Sequence, residues 1–87
     1  MESSEIKYAL IKKMARKCYF GHRLINLSDL IKAVPSHLQG LAKRCIEELF
    51  KEGFVNRKPG IKNEFRYSLK PETKEKINET LDKGSYP

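Results

Sequence analysis

The feature that most constrains this chain is a change of hydrophobic period at Gly53. Ahead of it, Leu38, Leu41, Ala42, Cys45, Ile46, Leu49 and Phe50 recur at three- and four-residue spacing, as on one face of an amphipathic helix. Beyond it the period falls to two. Phe54-Val55-Asn56-Arg57 reads as a strand and Pro59-Gly60-Ile61-Lys62-Asn63 as turn chemistry, while Phe65, Tyr67 and Leu69 alternate along a return strand. A helix running directly into a β-hairpin is therefore the centre of the fold.

Upstream, Ile6, Leu10, Met14 and Cys18 recur every four residues, with Ala9 and Ile11 widening the stripe, which predicts a helix from Glu5 to Cys18. Gly21 suits a left-handed stop after it, and His22 to Ile25 is long enough for one edge strand. Asn26 reads as the cap of a short second helix, with Asp29 three residues on and Leu30, Ile31 and Val34 as its apolar face. Pro35 ends that helix, because the residue before a proline resists helical geometry. Ser36-His37-Leu38-Gln39 has the form of a capping box opening the third helix. Pro71 fits the first position of a last helix, which continues through Ile77 and Leu81 to Gly84. Repeats and linkers are absent, so the 87 residues read as one domain with one modest core, ordered over about 5–83.

Eighteen Lys and Arg against eleven Asp and Glu give a net charge of +7, which favours an anionic partner through phosphate contacts and counterion release. The charge is concentrated. Across the hairpin, Arg57, Lys58, Lys62, Arg66 and Lys70 stand against one acid, Glu64, and the first helix carries Lys12, Lys13, Arg16 and Lys17. No apolar run reaches membrane-spanning length, and the polar start Met1-Glu2-Ser3-Ser4-Glu5 is unlike a secretory signal, so a cytoplasmic protein is expected. Cys18 and Cys45 are too few and too far apart for a zinc site or disulfide framework, and both fall on apolar helix faces as small core residues. His22 and His37 have no carboxylate or cysteine at a metal-ligand spacing, and no phosphate loop, nucleophile elbow or paired-acid motif is present. The chain is also short for enclosing an enzyme pocket. The expectation is a non-enzymatic protein without cofactor, metal or small-molecule site.

The order of elements, with Asn26-Leu27-Ser28-Asp29-Leu30-Ile31, the turn Val34-Pro35-Ser36, the step Leu49-Phe50-Lys51-Glu52-Gly53-Phe54-Val55 and the return strand Phe65-Arg66-Tyr67-Ser68-Leu69, resembles the winged helix-turn-helix superfamily. The likeness is to its small forms, built like archaeal and bacterial transcription regulators, and covers roughly Glu5 to Lys83. Val-Pro-Ser stands where many members carry a glycine, which shifts the expected start of the recognition helix. The resemblance implies an α+β, mainly α fold: a three-helix core, a β-hairpin wing and a C-terminal helix. It further implies a nucleoid-associated transcription regulator that binds double-stranded DNA, with helix 36–52 in the major groove and wing 54–69 on the backbone or in the minor groove.

On that reading the third helix points Gly40, Lys43, Arg44, Glu47 and Lys51 away from its apolar arc, with His37 and Gln39 exposed at its start. Lys43 and Arg44 lie in its first half and Glu47, Glu48 and Glu52 in its second, a gradient suited to entering a groove by the N-terminus. Arg44 can donate to guanine in a bidentate way, and Gln39 can read adenine if its side chain is not taken by the cap. Gly40 has two readings, a close approach of backbone to DNA or a place in the helix's first turn. His37 is either a phosphate donor or a plain first-turn residue. In the wing, Arg57, Lys58, Lys62 and Arg66 would meet phosphate, Arg66 sharing the outward face of its strand with Glu64 and Ser68. Ile77 and Leu81 would pack on the first helix or build a homodimer. Two other functions use the same features: RNA binding through the same charges, and a protein-interaction module using Tyr8, Tyr19 and Phe20 as exposed aromatics.

Overall fold

In the computed structural model, which describes residues 2–60, 62 and 64–84, the chain forms α1 (Ser3–Arg16), β1 (Ile25–Asn26), α2 (Leu27–Leu30), α3 (Gln39–Glu52), β2 (Val55–Pro59), β3 (Phe65–Leu69) and α4 (Lys74–Lys83). Single 3₁₀ turns, Ile31–Ala33, Ser36–Leu38 and Pro71–Thr73, join or extend the helices. The class is α+β and mainly helical. The three strands are antiparallel in the order β1-β3-β2, so β3 is central and β1 lies on an edge, as expected of it. Among the described residues no helix is long and apolar enough to cross a membrane.

The two periods meet at Gly53 for a backbone reason. Gly53 adopts φ +88°, a left-handed conformation that costs glycine little. Its N–H donates to Phe50 O and that of Phe54 to Leu49 O, closing the helix and turning the chain into β2. The stripe of α3 then buries Ala42, Cys45, Ile46 and Leu49 against Ile6, Leu10, Ile11 and Met14 of α1. Tyr67 and Leu69 of β3 close the same core from the sheet side.

Several boundaries differ from the sequence expectation. α1 stops at Arg16, because Cys18 already takes a left-handed conformation (φ 56°) just past its end; Gly21 is left-handed as well (φ 58°) but lies beyond the helix stop. Cys18 N–H donates to Ala15 O and Tyr19 N–H to Met14 O, a complete Schellman ending. Cys18 is therefore exposed and is not a core residue, whereas Cys45 is buried as expected. The strand expected over His22–Ile25 is confined to Ile25–Asn26. Asn26 does sit at the N-cap of α2, yet its side chain makes no capping bond; the Ser28 N–H donates to Glu64 Oε1, thirty-six residues away, at 2.5 Å.

The capping box at Ser36 does not form. Val34 is extended before Pro35, Ser36–Leu38 is a 3₁₀ turn closed by Leu38 N–H donating to Pro35 O, and α3 begins only at Gln39. Gly40 is thus the second residue of α3, in its first turn, where an added Cβ would meet nothing within 4 Å. Similarly, a 3₁₀ turn holding Pro71 precedes α4, which starts three residues later than expected. Ile77 is fully buried, with Leu81 packed against the same core, and α4 lies on α1; Ile77 is an internal contact, unavailable to a dimer.

The return strand also departs from simple alternation. Tyr67 and Leu69 are buried, but Phe65 is 40% exposed where β3 runs past the end of the core. Ser68, expected on the outward face, is buried and donates from its Oγ to Gly21 O at 3.0 Å. Tyr19 and Phe20, expected to be exposed, are partly buried against the core, and Tyr8 is half-buried. Among the described residues Phe65 alone is a large, exposed apolar side chain.

Candidate nucleic-acid interface

The helical period of α3 leaves Gly40, Lys43, Arg44, Glu48, Lys51 and Glu52 exposed, with Glu47 half-buried. Each of its three glutamates is paired. Glu47 Oε1 accepts from Arg57 Nη1 of β2 at 2.6 Å, while Glu48 and Glu52 lie 3.7 and 2.8 Å from Lys7 Nζ of α1. Burial works to lower the Lys7 pKa, but its hydrogen bond to Glu52 and the two carboxylate charges outweigh that and raise it. Lys43 and Arg44 are exposed, and among the described residues neither has an ion pair or side-chain hydrogen bond. The surface charge of α3 is therefore more polarised than its composition suggests. Its acids are neutralised by neighbouring elements, whereas its N-terminal cations make no ion pair among the described residues, Lys43 acting on Glu64 only through its charge.

Arg57 does not behave as an outward wing cation. By the β2–β3 register, Val55, Arg57 and Pro59 face the same side as Leu69, Tyr67 and Phe65, the side turned towards α3. Its guanidinium lies 4.3 Å from the centre of the Phe50 ring and 4.6 Å from that of Phe65. Its hydrogen bond to Glu47 raises its pKa. Burial, with the nearby Glu47 charge, pushes up the pKa of the adjoining Tyr67 hydroxyl.

The opposite face of the hairpin carries the other cations. Lys58 and Arg66 are cross-strand partners on it, like charges side by side. Lys58 is exposed; Arg66 is half-buried, with its stem 3.1 Å from where a Cβ on Gly60 would lie. Among the described residues its Nε has no hydrogen-bond partner. Lys62 is exposed at the tip with φ 58°; its turn neighbours Ile61 and Asn63 lie outside the described residues.

The remaining expected site residues flank α3. His37 is exposed in the 3₁₀ turn and Gln39, half-buried, is the first residue of the helix. Lys43 and Arg44, adjacent in sequence, border two different grooves. Arg44 lines one with Leu41, Glu47, Glu48, Lys51 and Ser3 at the start of α1. Lys43 lines another, of about 270 Å³, with Leu27, Ser28 and Ile31 on one side and Glu64 and Phe65 on the other. Sequence reasoning missed Glu64 and Phe65 as members of a site. Phe65 was legible only as the third residue of an alternating strand, and the reach of Glu64 to Ser28 has no sequence signal.

Among the described residues no group of three or more His, Cys, Asp and Glu side chains could hold a metal ion. Comparisons with protein-family models, curated proteins and solved structures find no match.

Proposed function

We propose that this chain is a winged helix-turn-helix protein that binds double-stranded DNA, a small transcription regulator acting without catalysis. The observation that carries the reading is the pairing of every glutamate on α3 with Arg57 or Lys7, while Lys43 and Arg44 in its first half stay unpaired. A helix entering a groove by its N-terminus needs that asymmetry, because carboxylates beside phosphate are repelled. The strand order β1-β3-β2, with a hairpin following α3, is compatible with the wing of that superfamily. In this reading Lys43 and Arg44, flanked by His37, Gln39 and Gly40, meet the duplex from α3. Lys58, Lys62 and Arg66 meet phosphate from the hairpin, and Arg57 holds the hairpin against α3.

Chemical-shift mapping with a random-sequence duplex tests it. Shifts clustered on residues 37–44 and 58–66 support the assigned face; shifts scattered elsewhere contradict it. The competing reading, a protein-interaction module, is favoured by one feature. A largely apolar groove of about 530 Å³ runs between the end of α1 and α4, lined in part by Ala15, Cys18, Phe20, Pro71 and Leu81. The absence of any duplex-induced shift would favour it.

A further inference from the structure

The groove between α2, α3 and β3 has a composition that phosphate contact does not explain. Leu27 and Ile31 give it apolar walls, and Phe65 is the one exposed large apolar side chain among the described residues. Next to that ring stands Glu64, the single acid in an otherwise basic hairpin. A carboxylate repels phosphate. It accepts well, however, from the exocyclic amino group of a base.

The Phe65 ring is also held in place. Arg57 stacks between it and Phe50, and Glu47 fixes the guanidinium from α3. A side chain ordered before binding loses little entropy on binding. Glu64 is similarly fixed through the Ser28 N–H, a bond that keeps its carboxyl below the usual glutamate range and therefore ionised. Lys43 supplies a cation at the groove's edge, with Lys58, Lys62 and Arg66 elsewhere on the hairpin. A volume of about 270 Å³ lies just under the roughly 300–1,000 Å³ typical of drug-sized ligands, so one flat ring system suits it.

We infer that this groove receives one nucleobase freed from its stack, with Phe65 as the stacking platform and Glu64 accepting from the base's amino group. The inference rests on the nucleic-acid reading above and adds to it the capture of one base from a single-stranded or locally opened segment. It favours the bases that carry an exocyclic amino group, cytosine, adenine and guanine, over thymine, which offers Glu64 none.

The test compares three probes by fluorescence anisotropy: a short oligo(dC) strand, an oligo(dT) strand of equal length and a blunt duplex. Wild type should bind oligo(dC) more tightly than oligo(dT), and Glu64→Gln should narrow that difference. Phe65→Leu keeps apolar volume but removes the π-face; it should weaken oligo(dC) binding by roughly 5- to 150-fold and duplex binding by far less. In unaltered protein, oligo(dC) should shift the Phe65 ring-proton resonances, a readout independent of any variant's folding. If the duplex binds while Phe65→Leu has no effect on oligo(dC) and the ring protons do not move, the inference fails and the duplex reading stands. If none of the three probes binds, both fail.

Discussion

Arg57 of β2 donates to Glu47 of α3 at 2.6 Å while its guanidinium lies between the rings of Phe50 and Phe65. One side chain thus ties the hairpin to the helix that precedes it and offsets a glutamate on the surface proposed to face DNA. Glu47→Gln should lower stability by no more than about 1 kcal/mol, since the pair is partly exposed. Arg57→Ala also forfeits two ring contacts and should cost about 1–3 kcal/mol in urea unfolding. Glu47→Gln should in addition tighten duplex binding, because it removes an anion and releases a cation.

Two glycines should respond in opposite directions to alanine. A Cβ on Gly60 would sit 2.4 Å from Glu64 O, whose carbonyl already accepts from the Gly60 N–H at 2.8 Å. The hairpin end has to open to admit it, at a cost of about 1–3 kcal/mol. Gly40 meets open space inside the first turn of α3, so Gly40→Ala should raise stability by about 0.5–1 kcal/mol. Denaturant midpoints measured on both variants check the pair.

Ile77 is the principal apolar anchor of α4 on the core. Ile77→Ala should cost about 2–5 kcal/mol, a large share of the total stability of a small domain. Because the side chain points into its own chain's core, the oligomeric state in sedimentation should not change. A shift in association state would contradict that placement.

Glu64 makes a pH prediction. Its hydrogen bonds to Ser28 lower its pKa from an ordinary value of 4.5, so its contribution is fully present above that value. The contribution is lost as pH falls through the lower, folded-state pKa. Wild type should therefore exceed Glu64→Gln in stability near neutral pH, and the two should converge on acidification below the usual glutamate range. Thermal melts across that range measure it.

The hydrophobic periods made the core of this fold legible. The stripes of α1 and α3, the switch at Gly53 and the hairpin all follow from side-chain spacing, which local geometry converts directly into buried faces. Helix ends were less legible, because competing local chemistries decide them. Cys18 takes a left-handed stop that glycine ordinarily supplies, and Pro35 draws Ser36 into a 3₁₀ turn that defeats its capping box. Long-range polar contacts had no local signal at all. The Glu47–Arg57 and Glu64–Ser28 bonds depend on the hairpin's register, so the loss of Arg57 from the outward charge could not be read from the sequence.

The most direct measurement is duplex affinity as a function of salt, from about 50 to about 200 mM. With Lys43, Lys58, Lys62 and Arg66 at phosphate and Arg44 at a base edge, the log–log slope should be about −3 to −4. Lys62→Ala should flatten it by roughly one while weakening all sequences alike, and Arg44→Ala should relax sequence preference. Binding that stays weak at about 50 mM salt, or a slope near zero, would contradict the DNA-binding account.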